Sequence, residues 1–170
     1  MFFIDGDLTL RRFRREDRDA LVTLGNNPSV SRFLTDRFPH PYRQKDAEAW
    51  LATVESEARI CNFAIEWREQ LAGGIGLIPL ADIHSGTADI GYWLGEPFWR
   101  KGIATRAVAA LLPYALTELL FIRLQALVFA DNRASMRVLE KNGFTREGIL
   151  RKHVRKNGVV SDAVLYALTR

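Results

Sequence analysis

Several stretches of the chain alternate polar and apolar residues, a pattern typical of strands that bury one face. Leu8 to Phe13 alternates in this way, and so does CNFAIEW, which begins at Cys61. We also expect strands in LAGGIGLIPL, TADIGYWLG and IRLQALVF. Two final strands would join at Asn157-Gly158, a dipeptide suited to a tight hairpin turn. About seven strands are therefore predicted.

Helical spacing of apolar residues separates these strands. REDRDALVTLG predicts a helix with Asp17 near its start and Gly25 at its end, and QKDAEAWLATVESEA predicts another. A third helix is expected from Ile103 to about Leu120, and Pro113 should kink it or end it early because proline has no N–H to donate. NRASMRVLEKNG predicts a short helix that Gly143 would end. Helices that interrupt strands favour an α/β (α+β) fold, with a mixed sheet and helices on both faces.

Length and composition indicate an ordinary globular chain. It has 170 residues, of which 48% are hydrophobic and 26% charged, without an internal repeat or linker, so we expect one domain over residues 1–170. Cys61 is the single cysteine and falls in a predicted core strand, so it is not expected to act as a nucleophile. The chain shows no signal peptide and no apolar run near the roughly 20 residues of a membrane span, and a cytoplasmic location without membrane contact is expected.

The charge balance is modestly basic. The formal net charge is +4 and the isoelectric point is about 9.5, which suits an anionic ligand or an acidic partner. This excess is too small to imply nucleic-acid binding. The densest basic runs are RRFRR, residues 11–15, and RKHVRK, residues 151–156. Neither carries a pattern of stacking aromatic residues, and we predict that both are solvated faces.

The stretch FWRKGIATRAV, residues 98–108, places two cations and a glycine where a loop turns into a helix. A helix N-terminus presents unpaired N–H groups, and small residues such as Gly102 and Ala104 let backbone approach an anion closely. With Arg100 and Lys101, these features fit a phosphate or pyrophosphate site. A basic helix start with a turn glycine is the alternative. The stretch is not a P-loop, and the glycines of GGIGLI predict a strand with a close backbone neighbour instead of a dinucleotide site.

A second polar constellation begins the predicted short helix. Asn132 and Ser135 lie three residues apart, directly after a predicted strand. One interpretation is capping, in which Asn132 accepts a bond from an unpaired N–H of the first turn. The other places both side chains at the carboxyl end of the strand, facing a cleft.

Together, DIGYWLGEPFWRKGIATRAV and NRASMRVLEKNGF resemble the GNAT superfamily of acyl-CoA N-acyltransferases, and most closely its ribosomal-protein alanine N-acetyltransferase (RimJ/RimL-like) branch. The order of elements fits over nearly the whole chain. The resemblance implies a mostly antiparallel, twisted sheet with a splayed central strand pair. It also implies acetyl-CoA as cosubstrate, no metal, and an amine acceptor. A homodimer is compatible with it, because relatives are often dimers.

The resemblance also assigns roles. The pyrophosphate of acetyl-CoA would bind the first N–H groups of the helix, and the pantetheine arm would pair with the strand that ends at Leu94, in a slot between that strand and residues 122–129. The residues implied for cofactor binding are Trp93, Leu94, Arg100, Lys101, Gly102, Ile103, Ala104, Thr105, Asn132 and Ser135. The family's loop pattern usually starts with Gln or Arg where this chain has Trp99, a change that the branch tolerates.

The implied reaction is direct attack of an amine on a thioester, without a covalent enzyme intermediate. The backbone N–H of Leu94 would stabilise the oxyanion, and Ser135 would donate to the leaving sulfur. Asp89, on the strand that leads to the cofactor loop, is the first candidate for the general base. Other candidates for the base are Glu96, Glu66, His84 and His153, of which Glu96 could instead order the loop and both histidines are expected on the surface.

The acceptor amine is less determined. Residues 28–58 and the final hairpin would build its pocket, with Phe33, Phe38, Tyr42 and Trp50 as walls or, as we favour, core residues. The branch acetylates a ribosomal-protein N-terminus, whereas relatives use polyamines, amino acids or antibiotics. The absence of a carboxylate cluster favours a peptide or small amine over a polyamine. Two other readings stay open from sequence, namely a non-catalytic acyl-CoA-binding domain and a nucleic-acid-binding module.

Overall fold

The computed structural model describes residues 3–57 and 61–170, and within them the chain forms a single eight-stranded sheet. The strands are β1 Phe3–Asp5, β2 Leu8–Arg11, β3 Asn62–Trp67, β4 Gln70–Pro79, β5 Thr87–Leu94, β6 Arg123–Phe129, β7 Thr145–Lys156 and β8 Val159–Thr169. All seven predicted strands are present, and the short β1 adds an eighth at one edge. The helices are α1 Arg18–Gly25, α2 Pro28–Ser31, α3 Gln44–Glu55, α4 Ile103–Pro113 and α5 Arg133–Lys141.

The strand order is β1-β2-β3-β4-β5-β6-β8-β7, and every neighbouring pair is antiparallel except β5 and β6. This parallel pair is short, because its register runs only from Thr87 opposite Arg123 to Asp89 opposite Gln125. Beyond Asp89, β5 continues to pair with β4 alone, and β6 beyond Gln125 pairs with β8 alone. The two central strands therefore diverge into an open slot, which confirms the predicted splay.

Helices cover both faces of the sheet. Along β3, Phe63 and Ile65 point into the core that contains α4 residues, whereas Ala64 points into a second core beneath α1 and α3. Both faces of β3 are thus buried at its centre, so the expectation from alternation that this strand buries one face is wrong, because helices pack on both sides of the sheet. The expected mixed sheet with helices on both faces is confirmed.

Pro113 changes the helix without breaking it. The α-helical register ends at Pro113, and a π-helical turn follows over Tyr114–Glu118, in which the N–H of Leu119 donates to the carbonyl of Tyr114. The chain then turns at Leu120, which has a φ of 60°. The expected early end is therefore a change of hydrogen-bond register, since a proline cannot donate in the α-helical pattern.

Two local predictions are confirmed at atomic detail. Asn157 and Gly158 both have positive φ and join Lys156 to Val159 across the hairpin, as a tight two-residue turn requires. A Cβ built on Gly73 would collide with the carbonyl oxygen of Trp93 on the neighbouring strand. Gly73 thus permits close backbone approach of β4 to β5.

The prediction that residues 11–15 form a solvated face is wrong for Arg11. This side chain is 5% exposed and donates to both carboxylate oxygens of Asp17 at 2.8 Å, and it also pairs with Glu66 on β3. Burial alone lowers the pKa of the Arg11 guanidinium, but its hydrogen bonds to the two carboxylates more than offset this effect and raise the pKa. Arg11 therefore joins β2, β3 and the turn before α1.

No helix among the described residues is both long and apolar enough to cross a bilayer.

Candidate active site

The N-terminus of α4 lies beyond the open end of β5. Gly102 is the residue before the helix and has a φ of 75°, a left-handed conformation that glycine adopts without strain. Helix geometry leaves the first N–H groups, including those of Ile103, Ala104 and Thr105, without acceptors inside the helix. A Cβ built on Gly102 would meet no atom within 4 Å. An open space therefore adjoins a row of N–H donors, and this arrangement can hold an anion.

The two cations before Gly102 are placed differently. Arg100 is exposed and has a positive φ of 60°. The ammonium of Lys101 lies 4.8 Å from the centroid of the Trp67 ring, whose other cationic neighbour is Arg68 at 4.4 Å. Lys101 thus makes a cation–π contact with the sheet while it keeps positive charge near the start of α4.

Trp99 ties the loop before α4 to the end of β5. Its indole Nε1 donates to the carbonyl oxygen of Leu94 at 2.8 Å. This is the position at which the family usually carries Gln or Arg. Tryptophan is therefore compatible with an ordered loop here, because its N–H closes the short connection between Leu94 and the helix start.

The backbone of β5 offers donors to the open slot. The N–H of Gly95 donates to Ala72 on β4, and N–H groups alternate in direction along a strand. The N–H groups of Tyr92 and Leu94 consequently point away from β4, toward the side where β6 has diverged. An extended ligand could add to this edge by backbone hydrogen bonding.

Asn132 and Ser135 follow β6 on the other side of the slot. The Oδ1 atom of Asn132 accepts from the N–H of Ser135 at 3.2 Å, so the capping interpretation is confirmed. The Ser135 hydroxyl also lies 2.9 Å from the hydroxyl of Tyr92, and the Ser135 carbonyl lies 3.2 Å from the same atom. Capping and a position at the slot are therefore compatible, because the cap orients the first turn that carries Ser135.

Tyr92 was not singled out by sequence reasoning. Burial raises its pKa to about 12, although the hydrogen bond with Ser135 works in the opposite direction. The signal that could have identified it is strand alternation, which puts Tyr92 on the same face as Ile90 and Leu94, toward α4 and α5.

Asp89 stands at the point where β5 and β6 part. It is half-buried, and its Oδ1 accepts from the Nε2 of Gln125 at 2.9 Å. Alternation places Asp89 on the opposite face of β5 from Tyr92, together with Trp93, which contacts Phe38. The structure therefore sets a carboxylate on one side of the slot and the Tyr92–Ser135 pair on the other.

The other candidate bases have different surroundings. Glu66 is paired with Arg11, and Glu96 accepts from the side chain of Asn27 at 2.6 Å, which orders the loop after β5. His84 and His153 are exposed, as expected. Cys61 is buried, in keeping with its predicted structural role.

The segment between α2 and α3 reaches across the slot on the Asp89 side. The Phe33 ring lies 5.6 Å from that of Phe129 at the end of β6, and Lys156 of the final hairpin pairs with Asp36 at 2.9 Å. Phe38, Tyr42 and Trp50 instead belong to the core beneath α1 and α3, as we favoured. Of the four aromatic residues proposed as pocket walls, Phe33 is thus the one that packs at the end of β6.

Known proteins resemble this chain over most of its length. The model of the family described as an acetyltransferase (GNAT) domain matches residues 7–145. YoaA, an uncharacterized N-acetyltransferase of Bacillus subtilis (strain 168), is 32% identical over 166 residues, which cover 96% of this chain and 93% of YoaA. Spermidine N(1)-acetyltransferase of Escherichia coli (strain K12) is 29% identical over 162 residues, 91% of this chain and 82% of that enzyme. The structure of RimL, a ribosomal L7/L12 alpha-N-protein acetyltransferase in complex with coenzyme A, matches with a TM-score of 0.88 and 25% identity, covering 99% of this chain and 97% of RimL.

The chain belongs to the GNAT family of acetyltransferases and is an acetyl-CoA-dependent N-acyltransferase. This assignment favours an enzyme over the two other readings that the sequence left open, a non-catalytic acyl-CoA-binding domain and a nucleic-acid module. The RimL structure, which has the same fold, was determined in complex with coenzyme A.

Proposed function

We propose that this enzyme transfers the acetyl group of acetyl-CoA to the N-terminal amine of a protein, as a RimL-like ribosomal-protein acetyltransferase would. The observation that carries the choice of acceptor is the placement of three carboxylates. Asp36 is paired with the ammonium of Lys156, and Glu96 orders the loop after β5 through Asn27. Asp89 lies where β5 and β6 part, with a hydrogen bond from the neutral side chain of Gln125. A polycationic acceptor would need several carboxylates to bind its charges, whereas one peptide amine needs a single proton acceptor.

The residues at the start of α4 fit the cofactor. The open space at Gly102 adjoins the N–H groups of Ile103, Ala104 and Thr105, which would bind the pyrophosphate of acetyl-CoA. Arg100 and Lys101 add positive charge, although the contact of Lys101 with Trp67 suits long-range attraction better than direct binding. The open edge of β5, including the N–H of Tyr92, would pair with the pantetheine arm, flanked by Trp93 and Asn132, and the N–H of Leu94 would be kept for the thioester carbonyl.

Each catalytic residue has a role that its position supports. Asp89 accepts the proton of the attacking amine through intervening water, since it lies at the apex of the slot, five residues along β5 from Leu94, on the face that the α2–α3 segment covers. The Leu94 N–H donates to the carbonyl oxygen as that atom gains negative charge. Ser135 donates to the sulfur as the carbon–sulfur bond breaks. Direct attack joins the amine nitrogen to the carbonyl carbon that carries the sulfur, so the amine would enter from the Asp89 side and the thiolate would leave on the Ser135 side of this one carbon.

The test is an acceptor screen that follows release of free coenzyme A thiol. The panel holds peptides with ribosomal-protein N-termini, the same peptides with a blocked N-terminus and a free lysine, and spermidine. We expect kcat/KM for the free α-amine to exceed that for spermidine by at least about tenfold, roughly 1.4 kcal/mol of transition-state binding. The blocked peptides should be inactive. Preference for spermidine, or equal use of the blocked peptides, would contradict a protein N-terminus as the acceptor.

A second candidate function is acetylation of a small polyamine. The similarity to spermidine N(1)-acetyltransferase, 29% identity over 91% of this chain, favours this function. The same screen separates the two, because spermidine would then have the highest kcat/KM and the peptides would react slowly.

A further inference from the structure

The hydroxyls of Tyr92 and Ser135 lie 2.9 Å apart and bridge β5 to the first turn of α5. This bond crosses the slot on the face toward α4 and α5, since β5 has already separated from β6 at Asp89. Tyr92 is therefore the sheet residue that holds Ser135 where the leaving sulfur would lie. This role of Tyr92 depends on the function proposed above for Ser135, donation to the leaving sulfur.

We propose that Tyr92 is a positioning residue. Its hydroxyl holds the Ser135 hydroxyl in the orientation that donates a hydrogen bond to the sulfur. A serine hydroxyl has one hydrogen and two lone pairs. The single Tyr92 hydrogen has two acceptors on Ser135, the Oγ atom at 2.9 Å and the carbonyl oxygen at 3.2 Å, and in this proposal it goes to the nearer Oγ atom. The single Ser135 hydrogen is then free to point into the slot. Without the Tyr92 hydroxyl, Ser135 can rotate to other partners.

No proton needs to leave either hydroxyl. The carbon–sulfur bond breaks with its electron pair on sulfur, Ser135 donates a hydrogen bond to the thiolate, and the amine proton goes to Asp89. Burial, which raises the pKa of Tyr92 to about 12, keeps this phenol protonated across the working pH range. Tyr92 therefore acts through Ser135 and not as an acid of its own.

The chain provides a matched control on the same helix. The Tyr166 hydroxyl donates to Glu140 on α5 at 2.7 Å, so Tyr166→Phe removes a similar tether between the sheet and α5 away from Ser135. A loss caused by general loosening of α5 would appear in Tyr166→Phe as well. A loss caused by misplacing Ser135 would appear only in Tyr92→Phe.

The first measurement is a double-mutant cycle on acetyl transfer. Tyr92→Phe and Ser135→Ala should each lower kcat roughly tenfold, with KM for acetyl-CoA within about twofold, and the double variant should be no slower than Ser135→Ala. Additive losses would overturn the proposal, because Tyr92 would then act independently of Ser135. Unchanged kcat in Tyr92→Phe, or an equal loss in Tyr166→Phe, would overturn it too.

The second measurement needs no acceptor. Ultraviolet absorbance of the thiolate reports the pKa of coenzyme A thiol bound to each variant. A donor aimed at sulfur stabilises the thiolate, so the pKa of the bound thiol should rise by about half to one pH unit in both Tyr92→Phe and Ser135→Ala, and not in Tyr166→Phe. The same pKa in wild type and Tyr92→Phe would refute the positioning role. If instead every amine fails in the acceptor screen while this pKa rises as expected, the choice of acceptor is at fault and the Tyr92–Ser135 relationship stands.

Discussion

The indole N–H of Trp99 donates to the carbonyl of Leu94 at 2.8 Å. This bond joins the last residue of β5 to the loop that precedes α4, and so connects the part of the slot proposed for the pantetheine arm with the part proposed for the pyrophosphate. Trp99 therefore helps to fix the separation between those two parts, together with the bond between Glu96 and Asn27 in the same loop.

Trp99→Phe should weaken acetyl-CoA binding, because the ring remains but the bond to Leu94 is lost. One hydrogen bond of about 1 kcal/mol corresponds to a roughly fivefold rise in Kd, measurable by titration calorimetry. Trp50→Phe is the control, since Trp50 packs against Phe13 in the core beneath α1 and α3. A Kd for Trp99→Phe equal to that of the wild type would show that the bond does not set the geometry of the site.

Gly102→Leu should raise the Kd for acetyl-CoA by at least about tenfold, because the side chain would fill the space beside the first N–H groups of α4. The substitution also carries the cost of a left-handed conformation, about 1–2 kcal/mol. Gly158→Leu controls for that cost, since Gly158 has a φ of 79° with open space around it in the final hairpin. Both variants should lose similar stability on thermal unfolding, and only Gly102→Leu should lose affinity. Equal affinity in the two would mean that the pyrophosphate binds elsewhere.

Asp89→Asn should lower kcat about a hundredfold or more while the hydrogen bond from Gln125 is retained, because the amide can still accept but cannot take a proton. Glu66→Gln is the matched comparison, since Glu66 is a carboxylate paired with Arg11. It should lower the free energy of unfolding with little effect on kcat. If Asp89→Asn kept the wild-type kcat and Glu66→Gln lowered it, Glu66 and not Asp89 would be the general base.

Stability should fall at alkaline pH in a way that depends on Tyr92. Its pKa is about 12 in the folded protein and near the ordinary value of 10 when unfolded, so the folded state binds the proton more tightly. The contribution of Tyr92 protonation to the free energy of unfolding is fully present below pH 10. It is lost as the pH rises from 10 through 12, by at most about 3 kcal/mol. Denaturant unfolding at pH 8 and pH 11 should show a smaller decline for Tyr92→Phe than for the wild type. The same decline in both would exclude a buried, protonated Tyr92.

Much of the fold was predictable because it is encoded locally. Alternation along the strands, the turn residues Asn157 and Gly158, and the glycine before α4 each act through residues that are near neighbours in sequence. Pro113 illustrates the limit of local reasoning, since its missing N–H predicts an end to the α-helical register but not the π-helical turn that continues the helix.

The sequence by itself determined the family and the local geometry of the helix start at Gly102. The loop FWRKGIATRAV and the segment NRAS carry their chemistry in contiguous residues, and a helix start presents the same N–H groups whatever surrounds it. The Asn132 cap is equally local, because it spans three residues.

Only the tertiary structure decided which other residues line the slot. The end of β5–β6 pairing after Asp89, the contact of Tyr92 with Ser135 and the pairing of Arg11 with Glu66 all join residues far apart in sequence. Such contacts depend on which strands become neighbours and on which face each side chain takes. Because strand pairing is set by packing of the whole sheet, no local pattern could have specified that Tyr92 meets Ser135 or that Arg11 leaves the surface.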